Sequence, residues 1–165
     1  MTSELRYLPE EASHDAAIEE INAEAFGPAR FVRAAARIRE QGPHDPALSF
    51  VCVDGDEVIA SVRMTPVFAG MAEGHMLGPL AVKPSYKNRG IGRHLVKIAV
   101  QAARDAGSEV VILVGDPPYY GPLGFLPIVP PTLQLPGPVD YRRVLAAPLV
   151  EGVEGKLIGM MRFRG

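Results

Sequence analysis

Only one cysteine, Cys52, occurs in the 165 residues, so no disulfide can form within the chain and no thiolate cluster from this chain alone can hold a metal. Cys52 stands in "LSFVCVD", where nothing nearby would lower a thiol's pKa, and it reads as a buried strand residue rather than a nucleophile. The four histidines, His14, His44, His75 and His94, show no metal-ligand spacing, so no metal is expected. Long apolar runs are missing as well. Stretches such as "VVILV", Val110 to Val114, are far too short to span a bilayer, and no membrane partner is expected. The acidic N-terminal region lacks the cationic and apolar parts of a secretory signal, which predicts a soluble, cytoplasmic protein. The most informative scarcity is one sign of charge. The net charge is -2, and residues 1 to 73 carry 13 acidic and 6 basic residues, yet from Gly74 to Arg104 there are 6 Lys or Arg and no acid. Aromatics are not interleaved with those basic residues beyond Tyr86, and the flanking acidity opposes nucleic-acid binding, so a phosphate ligand is the better reading of this positive island.

What is present suits one ordinary domain over residues 1–165, because 47% apolar and 22% charged residues are enough to build a sizeable core. "ELRYLP" opens as a short strand. "SHDAAIEEINAEAF" follows as a helix with Ser13 as its N-cap, and "ARFVRAAARIREQG" as a second helix closed by Gly42 and Pro43. "LSFVCVD" and "EVIASVRMTPVF" read as a hairpin turning at Gly55 and Asp56, and "HMLGPLAV" as a further strand. From Gly90 the period becomes helical, with Leu95, Ile98, Ala99, Ala102, Ala103 and Ala106 on one stripe and Gly107 as the stop. "EVVILVG" is then a strand buried on both faces and parallel to the one before the helix, which makes a right-handed crossover unit. Eight of the 16 prolines lie between Pro117 and Pro138, so loops with one short strand near "FLPIV" are expected there, before "KLIGMMRF" closes the chain as a strand.

The segment "KPSYKNRGIGRHL", Lys83 to Leu95, carries the chemistry. A helix whose first turn is "RGIGR" presents free backbone N–H groups and the positive end of its dipole, and its glycines let a ligand approach without meeting a Cβ. That is a cradle for phosphate or pyrophosphate, or else a helix start with permissive glycines. The dinucleotide fingerprint would need a third glycine at Leu95, and a P-loop would need Gly-Lys-Ser/Thr where Gly92 is followed by Arg93 and His94. Upstream, Gly78 and Pro79 interrupt an apolar strand, which is tolerated mainly at a bulge where ladder pairing is already broken.

"LAVKPSYKNRGIGRHLV" resembles the acetyl-CoA-binding signature of the GNAT superfamily of N-acetyltransferases, Gln/Arg-x-x-Gly-x-Gly/Ala, with Lys87 at its first position. "VVILVGDPPYYGPLGF" resembles the next strand and Tyr-x-x-x-Gly-Phe segment of the same superfamily, and "YRRVLAAPLVEGVEGKLIGMMRF" is similar in layout to a bacterial subgroup of small predicted acetyltransferases. The resemblance implies an α/β, GNAT-like fold with a mixed central sheet of about six or seven strands, a splayed and bulged strand pair and about four helices. It implies acetyl-CoA as co-substrate, held by Leu80, Ala81 and Val82 of the bulged strand and by Lys87, Asn88, Arg89, Gly90, Ile91, Gly92 and Arg93 of the loop. The implied reaction moves an acetyl or other acyl group to an amine by direct attack. A strand N–H at Leu80 or Ala81 would polarise the carbonyl, and Tyr120, with Tyr119 as its rival, would protonate the leaving thiolate. His75 is the side-chain candidate for the base, with Glu73 and Glu24 as other carboxylates nearby and Asp116 read as a turn or cap residue. The acceptor is expected to be a small-molecule or peptide amine lying against the first two helices and the late loops, and a homodimer is admitted. A non-catalytic acyl-CoA-binding sensor is the second reading.

Overall fold

The computed structural model describes residues 4–27 and 33–165. β1 (Leu5–Pro9) pairs antiparallel with β2 (Phe50–Asp54), and β2 turns through Gly55 and Asp56 into the long β3 (Glu57–Ala69). Gly55 takes φ +61°, the left-handed conformation that a two-residue hairpin turn requires. β3 returns through a second tight turn into β4 (Ala72–Val82). The helix α3 (Ile91–Asp105) then crosses over to β5 (Val110–Val114), which lies parallel to β4 as the apolar run "VVILV" predicts. The sheet continues through β8 (Val144–Pro148), antiparallel to β5, to β6 (Leu126–Pro127). At its other end β9 (Gly159–Phe163) pairs with the far end of β3 and with β7 (Leu133–Gln134). The mixed sheet of the resembled fold is therefore present. β8 departs from the loops that the proline count predicts for this third: the clustered prolines end at Pro138, before the strand, and Pro148 stands only at its last paired position.

Alternation along the strands sorts the core onto two faces. Cys52, Val62, Val111 and Leu113 pack beneath Leu95, Val96, Ala99 and Ala103 of α3, while Val51, Val53 and Val58 pack beneath Ile18 and Ile21 of α1 (Asp15–Phe26). Val110 and Ile112 complete that second face with Ile38 of α2 (Ala34–Arg39). The first part of the expected second helix lies outside the described residues.

Two helix ends show how local chemistry sets boundaries. Ser13 is not the cap of α1. The chain enters through a 3-10 turn over Ala12–His14, where the Glu11 amide donates to Nδ1 of His14 at 3.0 Å and the Glu11 side chain answers with a reciprocal bond. α3 ends as its glycine predicts: Gly107, at φ +88°, donates to Arg104 and Ser108 to Ala103, the paired bonds of a Schellman motif.

Candidate active site

β4 carries one residue more than its partner allows. Met64 faces Leu77 and Val62 faces Leu80, so Gly78 and Pro79 stand opposite Arg63 alone. The insertion also reverses the alternation, so that Leu77 and then Leu80 and Val82 pack on the α3 side while Ala81 turns to α1. On its other edge β4 pairs with β5 only at His75 to Val111 and Met76 to Ile112. Beyond Met76 the two strands splay, and the edge of β4 from Leu77 to Val82 faces an opening instead of a strand.

The loop into α3 sits at the head of that opening. Asn88 and Gly90 both adopt left-handed backbone, at φ 64° and 77°, which turns the chain into α3. The first ladder bond is donated by His94 to Gly90 at 3.0 Å, so the amides of Gly90, Ile91, Gly92 and Arg93 precede the ladder and lack helical acceptors. A Cβ on Gly90 would meet nothing within 4 Å, while one on Gly92 would lie 2.8 Å from the Tyr119 hydroxyl. The loop is tied down at its back: Tyr86 donates to Asp54 at 2.5 Å, and Lys83 pairs with Glu57 at 2.8 Å. Part of the positive island is thus spent on structure.

Two cavities meet here. One, of about 550 Å³, runs along Leu80, Ala81 and Val82 to Lys87, Asn88, Gly90, Ile91, Gly92 and Arg93. The second, of about 690 Å³, lies on the other side of the bulge between α1, α2 and the ends of β3 and β5. Phe26, Leu80, Tyr119 and Tyr120 line both, so the dividing wall falls at the bulge. Arg89 is the loop residue that lines neither, its guanidinium lying 5.1 Å from the Tyr86 ring centre.

Tyr119 and Tyr120 stand on a single helical turn, α4 (Pro117–Tyr120), packed edge to face with centroids 4.7 Å apart. Tyr119 reaches over Gly92, with the Arg93 guanidinium 5.6 Å from its ring centre. Tyr120 packs against Gly115 at the end of β5 and edge-on to buried Phe125. Burial, reinforced by Tyr119, pushes the Tyr120 phenol up to about 12, so it holds its proton throughout the neutral range. Gly115 admits this ring because a Cβ there would fall 2.5 Å from it.

The structure does not bring His75 to the site. His75 lies before the bulge, buried between Pro66 of β3 and Val111 of β5, and lines neither cavity. Burial, with Arg164 nearby, lowers its imidazole to about 4 against a weaker opposing pull from Asp45. Glu73 and Glu24 line neither cavity either, and the Glu73 amide is bonded to the Glu109 carboxylate. Asp116 caps α4 through its backbone carbonyl and lines the larger cavity.

Several polar residues of the larger cavity carried no signal in the sequence. Arg63 binds Glu10 at 2.9 Å and reaches Asp15 and Glu19, and Glu10 also pairs with His44. Burial alone would raise the Glu10 carboxyl, but bonds from His44 and Arg63 bring it below its ordinary value. These partners are 34 and 53 positions apart, so no local spacing could have shown them. Arg39, Arg143, Asn22 and Thr65 line the same cavity. Among the described residues no cluster of His, Cys, Asp and Glu is arranged to hold a metal ion, and no helix is long and apolar enough to cross a membrane.

The sequence profile of the acetyltransferase (GNAT) family matches residues 15–125. An uncharacterized N-acetyltransferase, YjhQ, of Escherichia coli strain K12 is 30% identical over 114 residues, which are 67% of this chain and 63% of that relative. The chain thus spans slightly under two thirds of that relative's length. The GNAT family N-acetyltransferase YhbS of Escherichia coli, solved in complex with CoA, superposes over 99% of this chain and 92% of its own, with a TM-score of 0.82 at 21% identity. A GNAT family acetyltransferase of Brucella melitensis, solved in complex with acetyl-CoA, covers 75% of this chain and 84% of its own, with a TM-score of 0.61 at 27% identity.

Proposed function

The chain belongs to the acetyltransferase (GNAT) family, and from that premise we propose that it transfers an acetyl group from acetyl-CoA to an amine, as one domain spanning residues 1–165 and in the cytoplasm. The observation that carries the reading is the join between the two cavities at the bulge. A cleft running from the cradle along the open edge of β4 meets a second, polar cavity at Leu80 and Tyr120, where two substrates would touch.

The residues fit acetyl-CoA. The amides of Gly90 to Arg93, with no side chain in front of Gly90, suit a pyrophosphate, and Lys87 and Arg93 add cationic charge at the rim. The unpaired edge of β4 at Leu80, Ala81 and Val82 offers backbone groups to the amides of a pantetheine arm. When bound, acetyl-CoA supplies the acetyl thioester. The N–H of Leu80 or Ala81 polarises the acetyl carbonyl, and Tyr120, kept protonated by its burial, donates its hydroxyl proton to the leaving sulfur. With His75 outside both cavities, the amine's proton is taken within the larger cavity, where Glu40 and Asp116 are the lining carboxylates without an ion-pair partner among the described residues.

Calorimetric titration with acetyl-CoA, using NADH and ATP as controls for a generic phosphate site, tests the cradle. Selective binding that weakens with salt, followed by thiol release when an amine is added, is the expected result. Folded protein that fails to bind acetyl-CoA would remove the reading, and binding without thiol release from any amine would leave a sensor.

A further inference from the structure

The larger cavity contains a cation that no group among the described residues neutralises. Arg39, in the last turn of α2, is half-buried and makes no hydrogen bond or ion pair among the described residues. The C-terminal end of α2 offers it a partial negative charge but no bonded oxygen. Arg143 also lacks an acidic partner, its Nε donating to the Gly115 carbonyl, and Arg33 lies over the Phe26 ring with no ion pair. Among the described residues, only Arg63 of the four arginines lining this cavity is matched by carboxylates. Burial, with a lesser contribution from the like charge of Arg33, depresses Arg39 to about 10, as suits a guanidinium stripped of water.

Two further groups in the same cavity wait for partners. Oδ1 of Asn22 and Oγ1 of Thr65 make no hydrogen bond although their residues are 3% and 0% exposed. Buried polar atoms are nearly always satisfied, so two orphans lining the same cavity as an uncompensated guanidinium mark a polar ligand site.

We propose that the acceptor is a small amine that itself carries a carboxylate, as an amino acid does, and that Arg39 binds that carboxylate. The inference rests on the transferase reading and adds the substrate class. Its geometry comes from the bulge. Nη1 of Arg39 lies 3.6 Å from the position a Cβ on Gly78 would take, which puts the guanidinium against the strand two residues before Leu80. Consecutive Cα atoms lie at most about 3.8 Å apart, so Gly78 and Leu80 are within roughly 8 Å of each other, a span of the size that one molecule with amine and carboxylate a few bonds apart can bridge. Asn22 and Thr65 would satisfy its remaining polar atoms. Polycationic acceptors such as polyamines meet three unmatched guanidiniums, with only Glu40 and Asp116 to oppose them, and are disfavoured.

The test uses matched probes with the full chain and acetyl-CoA: the proteinogenic amino acids, β-alanine and γ-aminobutyrate, the carboxamide of each, and the corresponding decarboxylated amines. Thiol release is expected with at least one acid, at a kcat/KM about tenfold or more above its carboxamide, as suits a charge-assisted bidentate contact. Arg39→Gln should abolish that preference by raising the acid's KM about 10- to 100-fold, and Arg39→Lys should restore part of it. Calorimetric affinity for acetyl-CoA should be unaltered in Arg39→Gln, and its melting temperature should equal or exceed that of the natural chain, since an unmatched cation is removed. Turnover confined to amines without a carboxylate, or equal turnover of acid and carboxamide, would overturn the inference and leave the transferase standing. Silence from every acid in protein that binds acetyl-CoA would overturn it too. Failure to bind acetyl-CoA would instead strike the functional reading beneath it.

Discussion

Tyr119 and Tyr120 are neighbours in sequence and pack edge to face, yet their rings meet different surroundings. Tyr119 reaches over Gly92 at the head of the cradle, whereas Tyr120 is wedged against Gly115 and Phe125 where β5 ends. A phenol held at about 12 is a donor at every pH of interest. Tyr120→Phe is expected to lower kcat about 100-fold, at the modest end of general-acid effects, with the dissociation constant for acetyl-CoA changed less than about twofold. An unchanged kcat with a good acceptor would take the proton-donor role away from Tyr120. His75 has a different signature, in stability. Its folded pKa of about 4 lies below the ordinary 6.5, so the unfolded chain binds the extra proton first as pH falls. The stability it contributes is complete above about pH 6.5 and is lost progressively toward pH 4, by a total of the order of 3 kcal/mol. Melting curves of the natural chain should fall more steeply across this window than those of His75→Gln; parallel curves would show that another group carries the acid sensitivity.

At the scale of elements, the splay of β4 from β5 depends on how closely the strands approach where they do pair. Gly74 sits immediately before the paired residues His75 and Met76, and a Cβ there would fall 2.2 Å from the Val110 carbonyl oxygen. That neighbour is backbone in a central strand and has nowhere to go. Gly74→Ala should therefore cost about 3 kcal/mol or more, against about 1 kcal/mol for Gly107→Ala, where the space is open and only the left-handed backbone objects. Denaturant melts of the two variants decide this, and similar losses would mean that β4 can shift without penalty. α3 shows what periodicity can and cannot give. The helix and its glycine stop were legible, but the buried stripe runs through Ile91, Leu95, Val96, Ala99 and Ala103, while Ala106 is exposed beyond the helix end. Val96 enters the core because the sheet beneath α3 is wide enough to cover two adjacent rows of the helix.

For the whole molecule, the cleft separates the β1–β4 part of the sheet from the β5–β8–β6 part, joined by two paired positions and by α3. A ligand lying in it would brace both parts. Acetyl-CoA at about 100 times its dissociation constant should stabilise the fold by about 2.7 kcal/mol, seen as a rise of several degrees in melting temperature. Gly92→Asp should lose that rise while melting near the natural chain's own temperature, because the atom it meets is the far end of the Tyr119 side chain, which can turn aside. A full rise in the variant would place the pyrophosphate away from Gly92.

Local chemistry by itself determined much of the frame: the Gly55–Asp56 hairpin, the helix α3 with its glycine stop, the bulge at Gly78–Pro79 and the left-handed turn at Gly90 all follow from residues within a few positions of one another. Each is a matter of backbone conformation or period, which a short stretch of chain settles alone. The larger cavity is different. Arg39, Asn22, Thr65 and Arg143 come from four separate elements, and Glu10 finds Arg63 53 positions away, so only the folded sheet decides that they share one space. The same holds for β8, whose place beside β5 rests on pairing across 34 or so intervening residues. The reference pKa that makes His75 suit a base is removed by its burial, because a side chain's proton affinity belongs to its surroundings, and those exist only after the chain has folded.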